Sequence, residues 1–142
     1  MQTKKIESLL LSVPQMDDDH TALITQEDEF STAVAADAPR AELFVRLTQL
    51  IEAFRYHFDC EESMMRSNRF KSWKRHAQEH LTLIEQMSWL RDDLAAGTVN
   101  QCGAMVLCMR DWTEQHIIGA DKRFACYLHE GPVANGIFSI VG

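Results

Sequence analysis

The fold is decided by residues 43–64, which read LFVRLTQLIEAFRYHFDCEESM. Side chains suited to a protein interior recur there every three or four positions, which is the spacing of one face of an α-helix. That face consists of Leu43, Leu47, Leu50, Phe54, His57, Glu61 and Met64. Its last part is unusual, because His57 and Glu61 occupy core positions where leucine is expected, and both are residue types that bind metal ions.

Three further stretches have the same helical spacing. Residues 73–94 place Trp73, His76, His80, Leu83, Met87, Leu90 and Leu94 on one face. A first helix, expected from about Asp17 to Ala36, carries Met16, His20, Leu23, Phe30 and Val34. A last helix, after a connection at 97–103, carries Cys102, Met105, Met109, Trp112 and His116. In all these helices the histidines point into the same core as the apolar side chains.

Short connections separate the four predicted helices, at residues 37–39, around Asn68 and at 97–100. Connections of this length make sequential helices antiparallel neighbours. The predicted fold is all-α: an up-down-up-down antiparallel four-helix bundle in a single domain, residues 1–142. The bundle covers about residues 17–130, between an N-terminal arm (1–16) and a loosely held tail (131–142). In the arm, Ile6, Leu9 and Leu10 are expected to pack over the bundle.

Length, composition and charge limit the classes of protein to which the chain can belong. The 142 residues, 46% hydrophobic and 25% charged, suit one globular domain with its own core. A net charge of -7 without a basic block argues against nucleic acid and against a membrane surface as partners. The apolar run Leu9–Leu11 is too short for a signal peptide or a membrane span. The four cysteines form no CxxC pair, so we expect reduced thiols and a cytoplasmic protein.

Seven inward-facing residues are candidate metal ligands. They are His20, His57, Glu61, His76, His80, His116 and Asp121. Imidazoles with a few carboxylates suit iron, zinc, copper or nickel better than magnesium or calcium. Seven ligands are too many for one ion, whereas two ions that share two bridging carboxylates use them all. The number of ligands therefore predicts a dinuclear site.

The spacing of these residues indicates how they reach one centre. His57 and Glu61, like His76 and His80, are four apart, so each pair stacks on one helix face and can chelate. His116 and Asp121 are five apart, about 140° around an ideal helix. Bringing both to one centre requires a π-type turn or a local distortion, which Gly119 would ease.

A polar core without metal is the competing interpretation. A lone core histidine such as His20 is more often hydrogen-bonded than ligating. Five of the six histidines lie on inward faces, however, and that many buried imidazoles without a metal would leave many polar atoms unsatisfied. This favours the metal site. His129, near the tail, is not part of the set.

The residues resemble the hemerythrin family, in its single-domain bacterial type, over about residues 17–128. The matching pieces are MDDDH (16–20), YHFDCEESMM (56–65), HAQEH (76–80) and DWTEQHI (111–117) leading to Asp121. The resemblance implies two non-haem iron ions, one held by His76, His80 and His116 and the other by His20 and His57. It also implies that Glu61 and Asp121 bridge the irons together with an oxo or hydroxo group.

By the same resemblance, the iron with two histidines keeps an open position that binds dioxygen reversibly, for carriage, storage or sensing. The resemblance implies an oxygen pocket lined by Leu23, Phe58, Trp112 and Ile117, with Thr113 where the family commonly has leucine; ordinary core packing explains these residues equally well. One alternative function is an enzyme that reduces peroxide or nitric oxide. Another is an oxygen, redox or iron sensor acting through a separate partner, since no output domain is fused. An oxygen-binding protein is favoured over an enzyme.

Two residues depart from a simple apolar pocket. The Thr113 hydroxyl could hydrogen-bond a bound oxygen or admit water, or it could bond its own i-4 carbonyl. Glu27 continues the stripe from His20 and Leu23 and could form a polar track with Thr113. Alternatively, the first helix rotates, Ile24 takes the inward position and Glu27 is solvated. We favour a solvated Glu27, because a buried unpaired carboxylate is costly.

The remaining polar and sulfur residues have ordinary interpretations. Cys60 lies near the His57 face, where it is either a soft extra ligand or, more often, a small core residue. The methionines at 64, 65, 87, 105 and 109 are expected to fill gaps in the core. The acidic run Asp17 to Asp19 is expected to begin or cap the first helix.

Overall fold

The chain folds into long α-helices joined by short connections. The computed structural model describes residues 7–97 and 102–130, and for residues 102–104 the backbone alone. Within these ranges there are four long helices and no β-strand: α1 (Pro14–Ala35), α2 (Arg40–Ser67), α3 (Trp73–Ala96) and α4 (Cys102–His116). A π-helical turn, Ile117–Asp121, follows α4 directly, and residues 122–130 are α-helical again. The predicted all-α class is confirmed.

The helices enclose one polar layer between two apolar clusters. α1 packs against α2 and α4, and α3 packs against the same two helices. On one side of the candidate metal ligands lies the main cluster, which includes Leu23, Phe30, Leu47, Leu50, Phe54, Phe58, Ile84, Met87, Met105 and Met109. On the other side lies a smaller cluster of Met16, Met65, Phe124 and Tyr127. The ligand layer is therefore shielded from water at both ends.

Each connection has a residue in the left-handed region as its first or second residue. Asp37 after α1 has φ 54°, Arg69 after α2 has φ 58°, and Gly97 after α3 has φ 71°. This conformation ends a helix by turning the chain away from its axis. Gly97 is the only one of the three that adopts this conformation without strain from a side chain; a Cβ there would lie 2.9 Å from Nη1 of Arg40, so the flexible arginine would also have to shift.

The first helix begins earlier than its acidic run predicts. It starts at Pro14, which suits a helix N-terminus because proline has no N–H to leave unsatisfied. Asp17 lies inside the first turn, where its Oδ1 accepts a hydrogen bond of 2.7 Å from the backbone N–H of Leu11. The expected start at Asp17 is therefore wrong by three residues. The Asp17 side chain binds the backbone of the segment before the helix and does not mark the first residue of the helix.

Among the described residues 7–13, which precede α1, Leu9 is the buried one. Leu9 is buried against Ile24 and Ile117. Leu10 is 50% exposed, so the expectation that it packs over the bundle is wrong. Ile6 and the tail 131–142 lie outside the described residues. In the described part of the chain, no helix is both long enough and apolar enough to cross a membrane.

The buried stripes follow the predicted faces with small shifts. Met65 rather than Met64 is the buried residue near the end of α2, and Ile84 rather than Leu83 is buried in α3. These shifts arise because an α-helix has 3.6 residues per turn, so a strict alternation of three and four drifts off the core face. The methionines at 87, 105 and 109 are buried as predicted.

Candidate metal centre

The seven predicted ligand residues converge on one place. All are buried, with at most 8% of each residue exposed. Their nitrogen and oxygen atoms form two groups in which every atom lies within 4.8 Å of the others. The larger group contains Glu61, His76, His80, His116 and Asp121; the smaller contains His20, His57, Glu61 and Asp121. Four helical segments distant in sequence thus supply one cluster.

Three imidazoles and two carboxylate oxygens form the larger group. Nε2 of His76 lies 2.9 Å from Oε1 of Glu61 and 2.9 Å from Oδ1 of Asp121. Nε2 of His80 lies 3.0 Å from the same Glu61 oxygen, and Nε2 of His116 lies 3.0 Å from the same Asp121 oxygen. Atoms at this spacing surround a point that each can reach at about 2.0–2.2 Å, the length of a metal–ligand bond.

Two imidazoles and two oxygens form the smaller group. Nε2 of His20 lies 2.9 Å from Oδ2 of Asp121 and 3.8 Å from Oε2 of Glu61. Nε2 of His57 lies 3.2 Å from that same Glu61 oxygen. The two rings meet edge to face, with centroids 5.1 Å apart. This group has one protein ligand fewer than the other.

The two carboxylates join the groups. Glu61 directs Oε1 to the larger group and Oε2 to the smaller, and Asp121 divides Oδ1 and Oδ2 in the same way. A carboxylate that offers one oxygen to each of two neighbouring sites is suited to bridge two metal ions. The geometry therefore favours a dinuclear arrangement over two independent sites.

The π-helical turn brings Asp121 to the cluster. α4 ends at His116, and the wider turn Ile117–Asp121 inserts an extra residue before the α-helix resumes. His116 and Asp121 consequently face the same point although they are five residues apart. The π-type turn predicted from this spacing is confirmed. Gly119 does not have to be glycine, because a Cβ there would meet nothing closer than Nη1 of Arg123 at 3.9 Å.

Buried nitrogen and oxygen atoms without a hydrogen-bond partner indicate whether the cluster is suited to a metal ion. Four buried atoms on the smaller side have no hydrogen-bond partner: Nε2 of His20, Nε2 of His57, Oε2 of Glu61 and Oδ2 of Asp121. They lie close together without the angles of hydrogen bonds, since they point at a common centre rather than at one another. Orphaned buried polar atoms are costly. Because a cation would accept the lone pairs of all four, the donor set fits a metal ion.

The electrostatics of the cluster favour positive charge. Burial by itself would lower the pKa of His20 and of His76, but Asp121 and Glu61 outweigh it and raise both pKa values to about 9. Burial would likewise raise the pKa of Glu61, yet the surrounding imidazoles hold it well below its usual value. A buried site that keeps its carboxylates ionised and stabilises added positive charge is suited to bind cations.

Comparison with known proteins points in the same direction. A curated relative, the bacteriohemerythrin of Methylococcus capsulatus (strain Bath), is 27% identical over 108 residues, which are 76% of this chain and 82% of the relative. The chain is hemerythrin-like. No family model matches it. No solved structure matches it either.

Three outer carboxylates contact the imidazoles of this cluster. Nδ1 of His80 lies 2.8 Å from Glu62, Nδ1 of His57 lies 3.4 Å from Asp19, and Nδ1 of His116 lies 3.5 Å from Glu79. A carboxylate that accepts the Nδ1 proton leaves the Nε2 lone pair free for a metal and fixes the orientation of the ring.

These outer carboxylates were not identified from the sequence. A signal for them exists, since each is adjacent in sequence to a candidate ligand: Asp19 precedes His20, Glu62 follows Glu61, and Glu79 precedes His80. Each one serves an imidazole on a neighbouring helix, so its partner becomes evident only in the packed bundle.

The five predicted pocket residues have different surroundings. Phe58 stacks on His80 with ring centroids 3.9 Å apart, and Leu23 belongs to the same apolar cluster as Phe58. Ile117 packs with Leu9 and Ile24. Trp112 is half-buried and lines a surface cavity of about 340 Å³ together with His116. Thr113 is buried. Their assignment to one oxygen pocket stays a prediction.

The expectation that Glu27 is solvated is wrong. Its side chain is buried, with 4% of the residue exposed, and Ile24 is buried beside it. The Thr113 hydroxyl lies 2.9 Å from Oε2 of Glu27 and 3.0 Å from the Met109 carbonyl, so the expected contact with the i-4 carbonyl and the contact with Glu27 both occur. Burial raises the pKa of Glu27 to about 8, against the opposing effects of Thr113 and Arg110. The carboxyl group avoids the cost of a buried charge by keeping its proton.

Two other polar residues stand apart from the cluster. Cys60 is half-buried, carries a free thiol and belongs to neither ligand group among the described residues. This favours the interpretation of Cys60 as a small packing residue. His129, also outside both groups, lies with Nε2 2.9 Å from the carbonyl oxygen of Leu11 and can donate a hydrogen bond to it.

Proposed function

We propose that this chain binds two iron ions in the buried cluster and uses them to bind dioxygen reversibly. The observation that carries the proposal is the division of oxygens by Glu61 and Asp121 between a five-ligand and a four-ligand group. A nitrogen-rich set with two bridging carboxylates suits iron in the ferrous and ferric states. The relative named bacteriohemerythrin supports iron over other metals that the same donors accept.

The cofactor would consist of two iron ions joined by both carboxylates and by a solvent-derived oxo or hydroxo bridge. His76, His80 and His116 would hold one ion, and His20 and His57 the other. Two ferrous ions would together supply the two electrons that dioxygen takes up and returns. Because the second ion has one protein ligand fewer, it would offer the position for dioxygen.

The protein's part in this function is to hold the site and to keep water away. Glu62, Asp19 and Glu79 would orient three of the imidazoles through Nδ1. The apolar clusters on both sides would exclude the water and protons that displace a reduced oxygen ligand. We propose that the pocket is lined by Leu23, Phe58, Trp112, Thr113 and Ile117.

The proposal also covers the topology of the bundle, the N-terminal arm, the number of domains and the cellular compartment. The helix neighbours and short connections support an up-down-up-down antiparallel topology. The burial of Leu9 against Ile24 and Ile117 supports an N-terminal arm that packs over the bundle. We take residues 1–142 as a single domain. The free thiols of Cys60, Cys108 and Cys126 suit a reducing compartment, so we propose that the protein is cytoplasmic.

Metal analysis combined with optical spectroscopy tests the function. The purified protein should contain two iron ions per chain. Its reduced form should be colourless without oxygen, become coloured in air, and bleach again when oxygen is removed. A protein that holds zinc or a single iron would contradict the dinuclear site. A reduced protein that goes directly to the ferric form in air, without a reversible coloured state, would contradict oxygen carriage.

A second candidate function is the enzymatic reduction of peroxide or nitric oxide at the same cluster. The observation that favours it is the buried pair of Glu27 and Thr113, since reduction of these substrates consumes protons and an oxygen carrier needs none. Catalytic turnover with a reductant and hydrogen peroxide or nitric oxide would support the enzyme. Reversible colour without turnover would support the carrier.

A further inference from the structure

Glu27 is a buried carboxyl group that belongs to neither ligand group. It lies on the inward face of α1 between Leu23 and Phe30, which are both in the main apolar cluster. The core-facing residues of the other helices in that cluster are apolar as well: Leu47, Leu50, Ile51 and Phe54 from α2, Ile84, Met87 and Leu94 from α3, and Met105 and Met109 from α4. A carboxyl group in such surroundings needs a specific role or a specific partner.

Its partner is Thr113, and the hydrogen bonds around Thr113 depend on where one proton lies. The hydroxyl has a single proton but two acceptors at hydrogen-bond distance, Oε2 of Glu27 at 2.9 Å and the Met109 carbonyl at 3.0 Å. When Glu27 is protonated, its O–H donates to Oγ1 of Thr113 while the hydroxyl donates to Met109. When Glu27 is ionised, the hydroxyl turns and donates to Glu27. Rotation of the Thr113 hydroxyl therefore lets the pair keep a hydrogen bond whether Glu27 is protonated or ionised.

Charged groups reach Glu27 from one side. Arg110 and Glu114 on α4 and Asp28 on α1 act on it electrostatically, and burial raises its pKa to about 8. Glu27 therefore holds a proton at neutral pH and can release it near that pH. Arg110 and Asp28 form an ion pair that is itself partly exposed, so this side of Glu27 adjoins solvent.

On its other side, Glu27 is linked through Thr113 to α4, the helix that carries the candidate ligand His116. Thr113 precedes His116 by three residues, which is one helical turn of about 5 Å along α4. The chain of groups from Arg110 and Asp28 through Glu27 to Thr113 thus extends from the surface to within about one turn of a candidate ligand.

We propose that Glu27 and Thr113 form a proton path that connects the surface at Arg110 and Asp28 with the proposed oxygen pocket, which Thr113 itself lines. In one transfer, the Glu27 proton moves to Oγ1 of Thr113 while the hydroxyl proton of Thr113, turned away from Met109, passes to a ligand in the pocket. A proton from solvent then restores Glu27, so one proton enters for each that leaves. The ligand class is a small oxygen-derived species that becomes more basic on reduction. This inference rests on the proposed iron cluster and on the reductive chemistry given as its second candidate function, since reversible oxygen binding itself consumes no proton.

The first experiment uses the metal-free protein. Infrared spectroscopy of the carboxylic C=O stretch follows the protonation of Glu27, with Glu27→Gln to assign the band. The band should persist at neutral pH and disappear near pH 8. Thr113→Val should raise the pKa of Glu27, because the hydroxyl bond stabilises the ionised form, whereas Thr113→Ser should leave it unchanged. A Glu27 band that disappears near pH 4.5, or a pKa that Thr113→Val does not move, would overturn the proposal.

The second experiment uses the iron-loaded, reduced protein exposed to air. Oxidation to the ferric form by this route transfers two electrons and two protons to dioxygen and yields hydrogen peroxide. Its rate should fall as the pH rises through about 8. Glu27→Gln and Thr113→Val should slow it by about tenfold or more at pH 7 and remove the pH dependence. Thr113→Ser keeps the hydroxyl and should recover most of the rate and of the pH dependence that Thr113→Val loses, and the exposed control Glu29→Gln should behave like the wild type.

Equal rates and equal pH profiles in the wild type and Glu27→Gln would overturn the proton path. That result is distinct from failure of the proposed function, which would appear as absence of two iron ions or of the reversible colour. The infrared titration of the metal-free protein does not depend on iron or oxygen binding, so it tests the pair of Glu27 and Thr113 even if the proposed function is wrong. If Glu27→Gln does not fold, Thr113→Val compared with Thr113→Ser decides the question.

Discussion

Oδ2 of Asp121 lies 2.9 Å from Nε2 of His20, while its other carboxylate oxygen lies 3.0 Å from Nε2 of His116. One side chain thus connects the beginning of the bundle with its last helix and contributes to both ligand groups. It can do so because a π-helical turn places Asp121 on the face of His116. Because each oxygen of Asp121 faces a different ligand group, this carboxylate should help to decide whether the cluster binds one ion or two.

The bridge at Asp121 can be tested by Asp121→Asn. Asparagine keeps one oxygen but replaces the second with an NH2 group, which cannot ligate a cation and adds no negative charge. We expect fewer than two iron ions per chain and loss of the reversible colour, measured by metal analysis and optical spectra. The control is Asp111→Asn on the exposed face of α4, which should keep both ions. Two tightly bound irons in Asp121→Asn would rule out the bridging role.

The outer carboxylate Glu62 should tune the cluster without being part of it. Glu62→Gln weakens the charge-assisted hydrogen bond of 2.8 Å to Nδ1 of His80. We expect the affinity for the metal to fall by about 10- to 100-fold, because the imidazole becomes less basic and less firmly oriented. Competition with a chelator measures this affinity. Asp59→Asn, at an exposed neighbouring position, should have no effect; an equal loss in both variants would mean that only general surface charge matters.

Two glycines should respond in opposite ways to alanine. Gly119→Ala in the π-helical turn should keep stability or raise it by up to about 1 kcal/mol, because the new Cβ has room and the unfolded chain loses freedom. Gly97→Ala should destabilise by about 1 kcal/mol or more, since φ is +71° and Cβ would lie 2.9 Å from Arg40. Urea unfolding measures both. A clear loss of stability in Gly119→Ala would indicate that the π-helical turn depends on glycine.

Glu27 should make the stability of the metal-free protein depend on pH. Its pKa is about 8 in the folded chain and near its ordinary value of 4.5 when the chain is unfolded, so the folded state binds the extra proton between these values. Its contribution is fully present below pH 4.5 and is lost as the pH rises through about 8, with a slope of up to about 1.4 kcal/mol per pH unit.

Glu27→Gln resembles the protonated carboxyl group at every pH and does not suffer this loss, so it should be more stable than the wild type at pH 7, by roughly 1–3 kcal/mol, with the difference vanishing below pH 4.5. Urea unfolding at several pH values measures this, with Glu29→Gln as the exposed control. A pH-independent difference between Glu27→Gln and the wild type would mean that Glu27 is not protonated in the folded protein.

Local spacing was enough to predict much of the candidate site. The pairs His57 with Glu61 and His76 with His80 share a helix face whatever the rest of the chain does, because the geometry of an α-helix fixes neighbours four residues apart. The same reasoning required a π-type turn between His116 and Asp121, which the structure contains. Inward-facing residues could likewise be named, to within one position on each helix.

Relationships between helices could not be predicted in this way. Spacing does not reveal that Glu62 serves His80 or that Asp19 serves His57, since each pair joins two different helices. Glu27 illustrates the limit most clearly. Its burial depends on Thr113, a residue on another helix, and an isolated helix wheel leaves the choice between core and solvent open.

The amino-acid pattern alone thus established an all-helical chain with inward-facing histidines and carboxylates in a set that can hold two metal ions. Tertiary packing decided which carboxylate oxygen faces which group, which outer acids contact the imidazoles, and that Glu27 is buried against Thr113. The physical reason is that periodicity along one helix depends only on backbone geometry. Contacts between helices depend in addition on the axial rotation and register of each helix, which follow from the packing of the whole core.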